Sequence, residues 1–131
     1  MEALRGTGVP AVFSDAVRVE LPGCSLLFIS GKVAVDAEGK TVGRTMKEQT
    51  RHVLDSIKAV LAREGGTMDD IVRVRVYVTQ LDSQSLRDIH EVRSGYFTPG
   101  HYPASTLVGV TKLVREGALI EIDADAVIES R

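Results

Sequence analysis

Two segments of this chain alternate with a period of two, and together they dictate a two-faced sheet. From Asp70 to Thr79, Val72, Val74, Val76 and Val78 fall on one side, with Arg73, Arg75, Tyr77 and Thr79 on the other. From Ala118 to Ile128, Ile120, Ile122, Ala124, Ala126 and Ile128 alternate with Glu121, Asp123, Asp125 and Val127. Successive side chains of a strand point to opposite faces, so each segment has one apolar and one polar side. The apolar sides need a cover. The polar sides carry arginine on one strand and acid on the other. That predicts neighbouring strands with opposite charges paired across the ladder, Arg75 and Glu121 among them.

Two amphipathic helices supply the cover. Thr45-Met46-Lys47-Glu48 fits a capping box, and Met46, Val53, Leu54, Ile57, Val60 and Leu61 follow on one helical face. Gly65-Gly66 ends that helix. A second helix is predicted from Asp82 to Phe97, with Leu86, Ile89, Tyr96 and Phe97 on its buried side. Three further strands complete the reading. Val17, Val19 and Leu21 alternate with Arg18 and Glu20, and Pro22-Gly23 turns the chain into the apolar run Cys24–Ser30. Gly31 is expected to break that run, with a short strand continuing over Lys32–Asp36. A strand over Ala104–Thr111 follows the loop Thr98–Pro103. The element order is β-β-(β)-α-β-α-β-β.

At 131 residues the chain suits one domain, spanning 1–131 with residues 1–11 as a loose N-terminal arm. Its formal charge is -2, which argues against a dedicated nucleic-acid binder, because such a surface needs cations to displace counterions from phosphates. The single cysteine, Cys24, leaves no internal disulfide framework and no cysteine metal cluster. No basic-then-apolar leader is visible and no apolar run reaches membrane-spanning length, so a cytoplasmic protein without membrane contact is expected.

Several stretches together resemble the Rid family, the reactive-intermediate deaminase or YjgF-like proteins also called endoribonuclease L-PSP. They are Phe28-Ile29-Ser30-Gly31, Glu48-Gln49-Thr50-Arg51-His52-Val53-Leu54, Asp69-Asp70-Ile71-Val72-Arg73-Val74, Tyr96-Phe97, Pro103-Ala104-Ser105-Thr106 and Ile120-Glu121-Ile122-Asp123-Ala124. The resemblance runs from about Val12 to Val127. It implies an α+β, chorismate-mutase-like fold: a mixed sheet with two helices on one face. It also implies a homotrimer with a central barrel, and ligand clefts between subunits. The implied activity is hydrolysis of an enamine or imine to a keto acid and ammonia. No cofactor and no metal is implied.

Carried over position by position, the resemblance makes Glu121 the catalytic acid that holds or activates water. Ser30 and the Gly31 backbone become ligand contacts. Three positions depart from the family pattern. Ser105 stands where deaminating members have the arginine that holds the substrate carboxylate, and a hydroxyl cannot replace a planar charged fork. Leu107 stands where many have cysteine, and Phe13 where they have tyrosine. Arg75, commonly threonine in the family, either restores charge near the cleft or forms an ion pair in the trimer centre. Tyr102 is placed to shape the pocket. His101 lies at the cleft mouth, whereas His52 is expected at the surface and His90 in a structural role. Cys24 is expected to be a small core residue.

Three functions remain open on this reading. The first is a Rid-type hydrolase acting on a small reactive metabolite, with the usual 2-imino-acid activity put in question by Ser105. The second is a non-catalytic small-molecule-binding trimer that serves as a sensor or partner module. The third is the ribonuclease, or translation inhibitor, suggested by the older family name.

Overall fold

A computed structural model describes residues 9–130. Residues 1–8 of the predicted arm lie outside the described residues. Five strands form one mixed sheet: β1 (Ala16–Leu21), β2 (Cys24–Val33), β3 (Ile71–Val78), β4 (Ala104–Gly109) and β5 (Ile120–Glu129). Their spatial order is β1-β2-β5-β3-β4. Every neighbouring pair is antiparallel except β3 and β4, which run parallel and are joined through a helix. The helices are α1 (Met46–Arg63) and α2 (Ser83–Arg93), and both cover the same face. None of the described helices is long and apolar enough to cross a membrane.

Local chemistry sets the helix ends. Thr45 Oγ1 accepts from the Glu48 N–H at 3.1 Å, and the Glu48 carboxylate accepts from the Thr45 N–H, as the capping box requires. At the other end Gly65 takes φ +85, and the Gly66 N–H reaches the Leu61 carbonyl at 2.8 Å. That is a Schellman stop, which a β-carbon at residue 65 would strain. Asp82 caps α2 by accepting from the Ser85 N–H. Helix α2 stops at Arg93, four residues short of the predicted Phe97. Ser94 and Gly95 open into a turn there, and the hydroxyl of Tyr96 bonds Asp55 on α1 at 2.7 Å while Phe97 tucks into the core. Burial and Asp55 push the Tyr96 phenol up to about 12.

The core lies between the helices and the apolar side of the sheet. Val53, Leu54, Ile57 and Leu61 of α1 meet Leu27, Ile29, Val74, Val76, Ile120 and Ile122. Burying each such side chain is worth roughly 1.5–3 kcal/mol. Among them sits one buried amide. Gln49 donates to the carbonyls of Gly43 and Gly117 and accepts from the Leu119 N–H, so it ties α1 to the entry of β5.

Four expectations about the strands change. Gly31 does not break β2, which continues through a register shift between Ile29 and Lys32; a bulge absorbs the irregularity. The short strand expected over Lys32–Asp36 therefore reduces to the end of β2 and an isolated bridge between Val35 and Thr41. A second shift between Ile71 and Arg73 places Ile71 in the core and leaves Val72 exposed, so Val72 leaves the valine stripe. In β1 the alternation is real but its apolar side is turned away from the helices. Val17, Val19 and Leu21 oppose Phe28, Leu26 and Cys24 on the open face. Arg18 and Glu20 point to the helix side, where Arg18 bonds the Glu64 carbonyl and Ser25. Cys24 is accordingly half-buried on the open face rather than in the core.

Candidate functional site

The open face is where the two alternating strands meet. Arg73 opposes Asp125, Arg75 opposes Asp123, and Tyr77 opposes Glu121. The expected pairing of arginine with acid holds, but the partner differs. Arg75 Nη1 donates to Asp123 Oδ1 at 2.7 Å and Nη2 to Asp125 Oδ2 at 3.2 Å, so the fork spans two acids and not Glu121. Both acids sit on its side of the ladder, and they raise the arginine's pKa. Tyr77 donates its hydroxyl to Asp123 at 3.2 Å.

Glu121 is thereby left without a hydrogen-bond or ion-pair partner among the described residues. Burial, helped by the neighbouring Asp123 charge, raises its carboxyl above the ordinary range. Its closest constraint is Gly31. A β-carbon built at Gly31 would lie 2.5 Å from Glu121 Oε2 and 2.9 Å from Cδ. Only glycine leaves room for the carboxylate there, and the β2 bulge brings the two together.

Gly31 also lines a cavity of about 560 Å³, together with Phe13, Ser30, Lys32, Val60 and Arg63. The structure thus brings Phe13, Ser30 and Gly31 into one place, with Glu121 touching Gly31 from the open face. Ser30 donates its hydroxyl to the Ser14 carbonyl at 2.6 Å. Asp15 accepts from Arg63 at 2.8 Å and also pairs with Lys32, which gives this cavity a charged wall not anticipated from the sequence.

Ser105, Leu107 and Tyr102 lie elsewhere. In β4, Thr106 and Val108 oppose Arg75 and Tyr77 on the open face, and Thr106 Oγ1 accepts from Arg73 at 3.2 Å. Ser105 and Leu107 consequently face the helix side, and Leu107 packs against the core instead of joining the polar face. From β2 to β4 there are three strand spacings, roughly 14 Å. Tyr102 is exposed and lines a second cavity of about 310 Å³ with His90, Arg93, Ser94, Phe97 and Pro103. His90, expected in a structural role, is exposed and forms part of this cavity's wall. His101 is exposed outside both cavities. His52 is half-buried rather than on the surface, and its Nδ1 has no hydrogen-bond partner.

Arg93 is the residue that sequence reasoning missed. Its Nη2 donates to Ser105 Oγ at 3.1 Å, and burial lowers its pKa. In the sequence it is one basic residue in a last helical turn, where cations are ordinary. The one available signal was its spacing of three from His90, which puts both on one helical face.

Comparison with known proteins agrees with this architecture. The family model described as Endoribonuclease L-PSP matches residues 9–128. A RutC family protein of Pyrococcus abyssi is 35% identical over 115 residues, covering 87% of this chain and 84% of that one. A solved Thermotoga maritima protein is 35% identical with a TM-score of 0.79, covering 98% of this chain and 94% of that one. The structure of RidA from the Antarctic bacterium Psychrobacter sp. PAMC 21119 is 28% identical with a TM-score of 0.78, covering 92% of each chain. A mixed five-stranded sheet with two helices on one face and a family match over nearly the whole length converge: the chain belongs to the Rid (YjgF-like) family, that of endoribonuclease L-PSP.

Proposed function

We propose that the protein is a Rid-type hydrolase that converts a small enamine or imine to its carbonyl product and ammonia, in a cleft assembled between subunits of a homotrimer. The observation that carries this reading is Glu121: a partly buried carboxyl of raised pKa, unpaired among the described residues and held against Gly31. A carboxylate tuned toward working pH suits proton transfer. Glu121 takes a proton from water as the water oxygen adds to the imine carbon. Return of that proton to nitrogen gives a carbinolamine; the C–N bond then breaks as the hydroxyl proton passes through Glu121 to the nitrogen, the oxygen closes to C=O and ammonia leaves.

Two observations support the assembly. The exposed open-face side chains Val17, Val19, Leu21 and Phe28 form an apolar stripe beside the Arg75 ion pairs, and a patch of this kind favours burial against another copy. The two cavities also lie towards opposite edges of the sheet, one beside β2 and α1 and the other beside β4 and α2, so a neighbouring subunit is what could bring Ser105, Leu107 and Tyr102 up to Phe13, Ser30 and Gly31.

A binding-only trimer is favoured by Phe13 and Leu107, whose side chains offer no polar atom to a reacting water. A ribonuclease role gains nothing from the acid-rich strand Glu121–Asp125. The deciding experiment measures keto-acid release from freshly generated 2-aminoacrylate. Release that disappears in Glu121→Gln supports the hydrolase. No release above the uncatalysed rate by the unaltered protein rejects it for this substrate class and leaves the binding role.

A further inference from the structure

Arg93 is electrostatically out of balance. Its guanidinium is half-buried, yet no carboxylate pairs with it among the described residues. Arg18, Arg63 and Arg75 each face an acid. One of its N–H groups reaches the neutral Ser105 hydroxyl, and the others have no protein partner among the described residues. A guanidinium drawn out of water with unused donors favours an incoming anion, and its planar fork matches a carboxylate.

The surroundings define what kind. The cavity that Arg93 lines is small, about 310 Å³, and Phe97, Tyr102 and Pro103 give it apolar walls. Small organic ligands fill sites of this size, with apolar walls and a few fixed polar groups. Ser105 restrains the arginine from one side and leaves the fork open to the cavity. His90 adds a further polar group on the same helical face.

We propose that Arg93, steadied by Ser105, binds the carboxylate of a small organic acid in this cavity. The anion-binding claim stands on Arg93 itself. Its extension, that the substrate is an imino acid held by that carboxylate, rests on the hydrolase reading above.

The test titrates the full chain with pyruvate, with methyl pyruvate and with inorganic phosphate, using calorimetry and amide NMR shifts. Pyruvate is expected to bind and to move the signals of Ser105 and the end of α2, with methyl pyruvate and phosphate at least about 10-fold weaker. Arg93→Met should weaken pyruvate by about 10-fold or more, and Arg93→Lys by less. The double variant Arg93→Met/Ser105→Arg, which moves the fork from α2 to β4, should regain most of the loss. Unfolding midpoints identify any variant that fails to fold, and Arg93→Lys then carries the comparison. Pyruvate affinity unchanged in a folded Arg93→Met or Arg93→Lys protein overturns the proposal. So does equal binding of the ester or of phosphate. If pyruvate binding depends on Arg93 but 2-aminoacrylate is not hydrolysed, the hydrolase reading fails and this site stands. If hydrolysis proceeds while pyruvate binding ignores Arg93, the reverse holds.

Discussion

Gly31 and Glu121 occupy one space that has no room for a methyl group: a β-carbon at residue 31 would sit 2.5 Å from the Glu121 carboxylate oxygen. Gly31 lies within β2 and its φ is not in the left-handed region, so its backbone would accept alanine. Only the side-chain contact forbids it, and the carboxylate is the flexible partner. Gly31→Ala is therefore expected to move the carboxylate without unfolding the sheet. The unfolding midpoint should shift by only a few degrees. Keto-acid release from 2-aminoacrylate should fall by about 100-fold, the usual scale for a misplaced catalytic group. Activity close to that of the parent would remove Glu121 from the reaction.

Stability should record the same carboxyl. Burial and Asp123 raise Glu121, so the folded protein holds that proton more tightly than the unfolded chain does. The contribution is complete below the ordinary glutamate value and is lost as pH rises through the raised folded value. Glu121→Gln removes that loss. Urea midpoints of variant and parent should coincide near pH 4 and diverge by pH 8, with the variant higher. A parent more stable than the variant at pH 8 would mean that Glu121 has a cationic partner.

Gln49 offers a prediction about how the site is held. Its amide makes three hydrogen bonds in the interior, two to carbonyls and one from the Leu119 N–H just before β5. Gln49→Ala strands those groups and is expected to cost about 3 kcal/mol, since each buried unsatisfied group costs roughly 1–3 kcal/mol. Chemical denaturation measures it. Because β5 carries Glu121, hydrolysis should decline in the same variant even where it remains folded.

The apolar stripe of β1 can be tested by solution mass. Val19 is 39% exposed and makes no core contact, so Val19→Asp should leave the protomer folded. Light scattering is expected to give three chains for the parent and one for the variant. A parent that runs as a single chain would reject the proposed trimer.

Much of this architecture is legible in the sequence. The period-two runs at Val74–Val78 and Ile120–Ile128 dictated the sheet, and the Thr45–Glu48 box located α1. The arginine and acid strands did turn out to be neighbours. Which acid Arg75 takes was not legible, because register depends on the bulge between Ile71 and Arg73. The β1 stripe shows a deeper limit. Val17, Val19 and Leu21 alternate as a half-buried strand should, yet periodicity cannot tell whether an apolar side meets its own helices or another copy. Arg93 was hidden for a related reason. Its meaning comes from Ser105, twelve residues away, and only the packing of α2 beside β4 brings them together.

The separation of the two cavities has a genetic consequence. Under the proposed assembly, each cleft draws Glu121 from one chain and Arg93 from the next. A Glu121→Gln chain would be inactive alone and an Arg93→Met chain impaired in binding, yet a mixed trimer can build an intact cleft from the sound half of each. Random mixing at equal amounts should restore about a quarter of the clefts. Two defective alleles in one cell would then complement each other, and alleles carrying both changes on one chain would not.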